Sequence, residues 1–119
     1  MKEKITIVGV VRSGQGRGGE VGAKTANLDI SLARNLTKGL YACRVTVDKT
    51  SRVLYDGLLY YGINSLTNQD CLEVHLLKFK GELMGKEIAV VVGRYLREPK
   101  KFDTIEALRE QISRDVQLK

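Results

Sequence analysis

Six short runs of apolar and β-branched residues follow one another along the chain: Ile5–Arg12, Ala26–Ile30, Gly39–Asp48, Arg52–Gly62, Cys71–Lys78 and Lys86–Leu96. Runs of this length bounded by polar or glycine-bearing turns read as strands. Ser31–Leu36 carries a weak signal for one helical turn. After the lone proline, Pro99, Asp103 and Glu106 form a capping-box pair. Ile105, Leu108, Ile112 and Val116 then give one apolar stripe of a helix. The expected fold is mostly β: a six-stranded antiparallel Greek-key-like barrel closed by a C-terminal α-helix, with residues 1–119 forming a single domain.

The first two runs flank Ser13–Asn27 (SGQGRGGEVGAKTAN), which holds five of the twelve glycines. Glycine at this density lets the backbone take positive φ and approach a ligand closely. Successive N–H groups freed this way make an anion-binding concavity. A mobile surface loop is the commoner outcome for such stretches. Arg17, Lys24, Thr25 and Asn27 favour a phosphate-facing loop, because cations, a hydroxyl and a carboxamide suit a nucleotide phosphate and its magnesium. Gly14, Gly16 and Gly19 satisfy G-x-G-x-x-G, and Gly18 with Ala23-Lys24-Thr25 approaches a P-loop without its second glycine. Both motifs need a helix directly after the loop. A strand-like run follows instead, so both nucleotide folds are rejected.

With 119 residues the chain is long enough to bury roughly two-thirds of its unfolded surface in one core. No apolar run approaches the roughly 18 residues of a membrane span. Met1–Lys4 leads straight into a strand pattern without the apolar segment of a signal peptide. A cytoplasmic protein with no membrane partner is therefore expected. Cys43 and Cys71 are its two cysteines. Free thiols are the default in a reducing compartment, and the sequence leaves their pairing open. The net charge of +6 suits an anionic partner. The basic residues are scattered, so charge does not choose among nucleotide, nucleic acid and membrane surface.

In Cys71–Lys78, Leu72, Val74 and Leu76 share one face, and Cys71, Glu73, His75 and Leu77 the other. A glutamate in such a strand usually points to solvent. Cys71 and Leu77 do not look like solvent positions, however. An inward Glu73 would be desolvated, with its pKa raised toward values suited to a general base. His75 fits no zinc-ligand spacing. It is expected to be a hydrogen-bonded structural residue, behind the site at most.

Gly14–Gly18 (Gly-x-Gly-Arg-Gly), Thr25-Ala26-Asn27-Leu28, Gly39-Leu40-Tyr41, Glu73-Val74-His75-Leu76-Leu77, Tyr95-Leu96-Arg97, Lys101-Phe102-Asp103 and Leu108…Gln111-Ile112…Asp115 stand in the order found in ATP-type riboflavin kinases. The chain resembles that family over nearly its whole length. The resemblance implies a six-stranded barrel with a C-terminal helix, and transfer of the ATP γ-phosphate to the 5′-hydroxyl of riboflavin, giving FMN. By the same resemblance, Gly14, Gly16, Arg17, Gly18, Gly22, Lys24, Thr25 and Asn27 form the nucleotide site. Thr25 and Asn27 would help hold Mg2+, Glu73 would be the base, and Arg97 with Glu73 would lie on the flavin side. A monomer is expected.

Two departures from the family pattern stand out. Lys24 replaces the proline of Pro-Thr-Ala-Asn, and is either solvated or in contact with phosphate. Tyr60-Tyr61-Gly62 and Ser65-Leu66-Thr67 replace an Asn-Ile-Gly and a later Pro-Thr. The adenylyltransferase domain that many bacterial members carry in front is not expected here, and the reaction is expected to stop at FMN. Two other readings compete: a catalytically silent flavin- or nucleotide-binding relative, and a basic RNA-binding barrel. The second is disfavoured, since five Tyr and two Phe give no evident stacking platform, and nucleic acid is not an expected partner.

Overall fold

Strands with apolar residues at alternate positions bury one face together, and here that face builds the core. The computed structural model describes residues 5–12, 23–48, 52–64, 67–99, 110–111 and 114. Within them lie β1 (Thr6–Val10), β2 (Ala23–Leu28), β3 (Gly39–Val47), β4 (Leu54–Asn64), β5 (Gln69–Leu77) and β6 (Glu87–Arg97). They form one sheet in the order β1-β6-β3-β4-β5-β2, antiparallel at every pairing. Val45, Leu59, Leu72, Val74, Leu76, Ile88 and Val90 are almost fully buried on its concave face. Burying each such side chain contributes about 1.5–3 kcal/mol.

The sheet curls until its two edge strands approach each other. The Arg12 backbone N–H donates to the Asn27 carbonyl at 2.9 Å, and the Arg12 guanidinium meets Asp29 at 3.1 Å. A short 3-10 turn, Ile30–Ala33, packs beside this seam, where Asp29 accepts from the Ser31 N–H at 2.9 Å. That bond, with Arg12 adding to it, holds the Asp29 carboxyl below its ordinary pKa. Gly9 admits the turn: a Cβ there would lie 2.6 Å from Leu32 Cδ1.

Several boundaries differ from the sequence reading. β2 starts at Ala23 rather than Ala26, because its ladder to β5 runs from Ala23 opposite Leu77 to Leu28 opposite Leu72. Lys24 and Thr25 thus belong to a strand, not a loop. The β4–β5 ladder runs past the expected ends at Gly62 and Cys71, to the pairs Ile63–Asp70 and Asn64–Gln69. Asn68 takes a left-handed φ of 59° and donates its N–H to the Asn64 carbonyl, a conformation asparagine tolerates well. Neither Cys43 nor Cys71 is in a disulfide. Cys43 faces the core, whereas Cys71 lies on the convex face with Glu73. The expected closing helix falls mostly outside the described residues, with its cap and apolar stripe. Glu110, Gln111 and Arg114 are helical, and Gln111 is buried. Among the described residues, no helix is long and apolar enough to cross a membrane.

β4 contains one position where a side chain has no room. A Cβ on Gly57 would lie 2.8 Å from the His75 carbonyl oxygen and 3.2 Å from Cys43 Sγ. Gly57→Ala is expected to destabilise the fold by about 1–3 kcal/mol, the usual cost of overpacking. Urea unfolding midpoints would measure it, and an unchanged midpoint would show that β4 and β5 can part freely.

Candidate active site

The convex side of β3, β4, β5 and β2 is not an ordinary solvent face. Leu40 and Leu58 are 2% and 1% exposed on it, and His75 is 8% exposed. Strand register places the polar residues of this face in two rows. One row runs Arg97–Leu40–Tyr60–Glu73–Asn27 across β6, β3, β4, β5 and β2. The next runs Ala42–Leu58–His75–Thr25. Side chains directly opposite in an antiparallel ladder have Cβ atoms about 4.5–5.5 Å apart. Glu73 and Asn27 are therefore immediate neighbours, as are His75 and Thr25.

Arg97 reaches the first row only through irregularity in β6. Continued regularly from the pair Cys43–Val92, the ladder would set Tyr95 opposite Leu40. Register shifts between Leu40 and Tyr41 and between Tyr41 and Cys43 insert extra residues in β6, so Arg97 takes that place. Bulges of this kind commonly re-aim a side chain beside a functional site. The Tyr95 ring stays behind the row, edge-on to Tyr41 at 5.1 Å, with its hydroxyl donating to the Lys38 carbonyl at 3.1 Å.

Glu73 answers the question that its alternation left open. It lies on the face opposite the packed interior, so it is not an inward residue of the barrel, yet it is only partly exposed. Burial raises its carboxyl above the ordinary glutamate range, because desolvation penalises the charged form. Its neighbours respond to the same environment. Tyr60 is pushed up to about 12, chiefly by burial and then by Cys71, while Arg97 acts in the opposite direction. Cys71 is pushed up to about 12 by burial, with the Glu73 and Asp70 charges adding to it. A carboxylate here is poorly solvated and ready to take a proton.

Thr25 and Asn27 share this face because they are two apart in β2, while Ala26 and Leu28 between and beyond them are buried in the core. Thr25 Oγ1 and His75 Nδ1 lie 3.0 Å apart. Lys24, by the same alternation, sits on the other face from Thr25 and Asn27 and is exposed. Gly14, Gly16, Arg17, Gly18 and Gly22 lie outside the described residues. Arg97 is the last residue of β6, its guanidinium donating to the Glu98 carbonyl at 2.8 Å.

The sequence reading missed Tyr60 and Leu58 and left His75 aside. Their alternation along β4 and β5 was readable, but the pairing that sets Tyr60 against Glu73 was not. A shallow groove on the convex side is lined by Ala42, Arg44, Asp56, Val91, Gly93 and Arg94. Its Arg44–Asp56 pair, 3.7 Å apart, is exposed. The groove touches the His75 row only at Ala42 and includes no residue of the Glu73 row.

Comparison with known proteins gives the family. The sequence matches the flavokinase family, described as riboflavin kinase, over residues 1–119. It is 34% identical over 113 residues to a bifunctional riboflavin kinase/FMN adenylyltransferase of Pseudomonas fluorescens, covering 92% of this chain and 35% of that protein. Among solved structures, a riboflavin kinase from Trypanosoma brucei shares the fold with a TM-score of 0.66 at 20% identity, over 98% of this chain and 77% of that one. A protein described as a macrolide-efflux protein from Streptococcus pneumoniae superposes with a TM-score of 0.73 at 24% identity, over 97% of this chain and 38% of that one. The chain belongs to the riboflavin kinase family.

Proposed function

We propose that this chain transfers the γ-phosphate of ATP to the 5′-hydroxyl of riboflavin, giving FMN and ADP. The observation that carries the reading is the placement of Glu73 directly across the β5–β2 ladder from Asn27, with Thr25 on the same face. That puts a desolvated carboxylate beside neutral oxygen donors. Glu73 takes the proton of the ribityl hydroxyl as that oxygen forms its bond to the γ-phosphorus and the bond to the β-phosphate oxygen breaks. Phosphoryl transfer asks a protein mainly for positioning and neutralisation of charge, and the rest of the face serves those ends. Arg97, at the far end of the row, borders the flavin side. Gly14, Gly16, Arg17, Gly18 and Gly22 are assigned to the nucleotide phosphates.

The donor set fits magnesium. A threonine hydroxyl and an asparagine carboxamide are hard oxygen ligands, and Mg2+ is usually held by few protein groups together with waters and substrate phosphates. No cluster of three or more His, Cys, Asp or Glu able to hold a metal occurs among the described residues. When bound, it neutralises charge on the transferring phosphates. Thr25 and Asn27 would hold it, and Glu73 stays free to handle the proton.

Incubating the purified protein with riboflavin, ATP and magnesium should yield FMN, separable by chromatography. Recovery of unchanged riboflavin, with both substrates still binding, would leave a silent relative. Lys24 lies on the other face and is not expected to touch phosphate. Lys24→Ala should therefore change the KM for ATP by less than about twofold, as an exposed substitution does. A larger rise confined to ATP would restore the contact.

A further inference from the structure

His75 is the chain's only histidine. It is buried beside the proposed nucleotide site and plays no part in the chemistry assigned above. Its Nδ1 lies 3.0 Å from Thr25 Oγ1, at a pair of directly opposed residues in the β2–β5 ladder. A threonine hydroxyl has one proton and two lone pairs. To serve as an oxygen ligand to a cation it must turn its lone pairs outward and send its proton elsewhere. An imidazole nitrogen without a proton is the acceptor such a hydroxyl needs. The opposite arrangement, with Nδ1–H donating to Thr25, would use up one lone pair and leave the hydroxyl proton to compete with the other on the cation's side.

We propose that His75 is a positioning residue: it accepts the Thr25 hydroxyl proton at Nδ1 and so holds the Thr25 oxygen ready for the magnesium–nucleotide complex. This rests on the assignment of Thr25 to that complex. The fold supplies the rigidity. His75 is 8% exposed, between Val74 and Leu76, which are both fully buried on the other face. Its carbonyl oxygen is the atom against which Gly57 has no room for a side chain. The ring therefore starts from a backbone fixed on both sides. The energetic link to the nucleotide is one neutral hydrogen bond, so its loss should be felt as a modest, specific weakening.

Two measurements test it. In the free protein, imidazole 15N shifts should report the tautomer protonated at Nε2 with Nδ1 bare; a protonated Nδ1 overturns the proposal. Calorimetry of Mg·ADP binding should show His75→Leu weakening affinity about threefold to tenfold, with riboflavin binding unchanged. His75→Asn, whose carboxamide oxygen reaches the position of Nδ1, should recover most of the loss. His75→Gln, whose polar end reaches the position of Nε2, should not, and this polar pair keeps the test open should the leucine variant fold poorly. In a Thr25→Val background, His75→Leu should add almost nothing. An equal loss in both backgrounds, or Asn and Gln behaving alike, overturns the positioning role while leaving Thr25 at the site. Thr25→Val without effect on Mg·ADP would overturn the underlying assignment as well.

Discussion

Replacing Glu73 by glutamine is expected to lower kcat for FMN formation by about 10²–10⁴-fold, the usual contribution of a general base. Glutamine keeps the length and the hydrogen-bonding shape and removes only the ability to take a proton. The loss should fall on kcat, with little change in the KM of either substrate. Burial raises the Glu73 pKa, so the acid limb of the pH–rate profile should lie above that of an exposed carboxylate and vanish in the variant. Stability should move differently. A carboxyl whose folded pKa exceeds its unfolded one contributes stability below the unfolded value, and loses it as pH rises through the folded value. Once ionised, Glu73 therefore opposes folding, and Glu73→Gln should leave Tm unchanged or raise it above that pH. Near-normal turnover in that variant would remove Glu73 from the chemistry.

The second large effect concerns the donors opposite. Thr25→Val is nearly isosteric and deletes the hydroxyl, and Asn27→Ala deletes the carboxamide. Hydrogen bonds and contacts to charged partners are each worth about 1.5–3 kcal/mol, so each change should weaken Mg·ATP binding about 10- to 100-fold. The two residues are neighbours on one strand face, so the double variant should fall short of the product of the single losses. The seam of the sheet should survive, because Arg12 bonds to the Asn27 backbone carbonyl, not to its side chain. Riboflavin affinity should hold in all three. Unaltered Mg·ATP affinity by calorimetry in both single variants would mean that this face does not hold the nucleotide.

Much of this architecture was legible in the chain itself. Six runs of strand-like sequence became six antiparallel strands, and the alternation in Cys71–Lys78 placed Glu73 and His75 together. What alternation could not decide was which face of β5 lies inside. Leu72, Val74 and Leu76 oppose Cys71, Glu73, His75 and Leu77, and neither set is wholly polar. The convex face is itself largely buried at Leu40 and Leu58, so the usual inference from polarity to exposure fails there. Register was invisible for a related reason. Arg97 joins the row of Glu73 only because β6 carries bulges against β3, and bulges arise from pairing between distant segments. The start of β2 was misjudged because Lys24 and Thr25 gain strand conformation from Leu76 and His75 opposite them. Lys24 showed its charge in the sequence, but only its place in the pleat separated it from Thr25 and Asn27.

The central claim is one of location: nucleotide and base share the convex face of β2 and β5. Titrating 15N-labelled protein with Mg·ADP and following backbone amide shifts tests it most directly. The largest changes are predicted at Thr25–Asn27 and Glu73–His75. Changes concentrated instead around Ala42–Arg44 and Gly93–Arg94, with β2 and β5 unmoved, would contradict it.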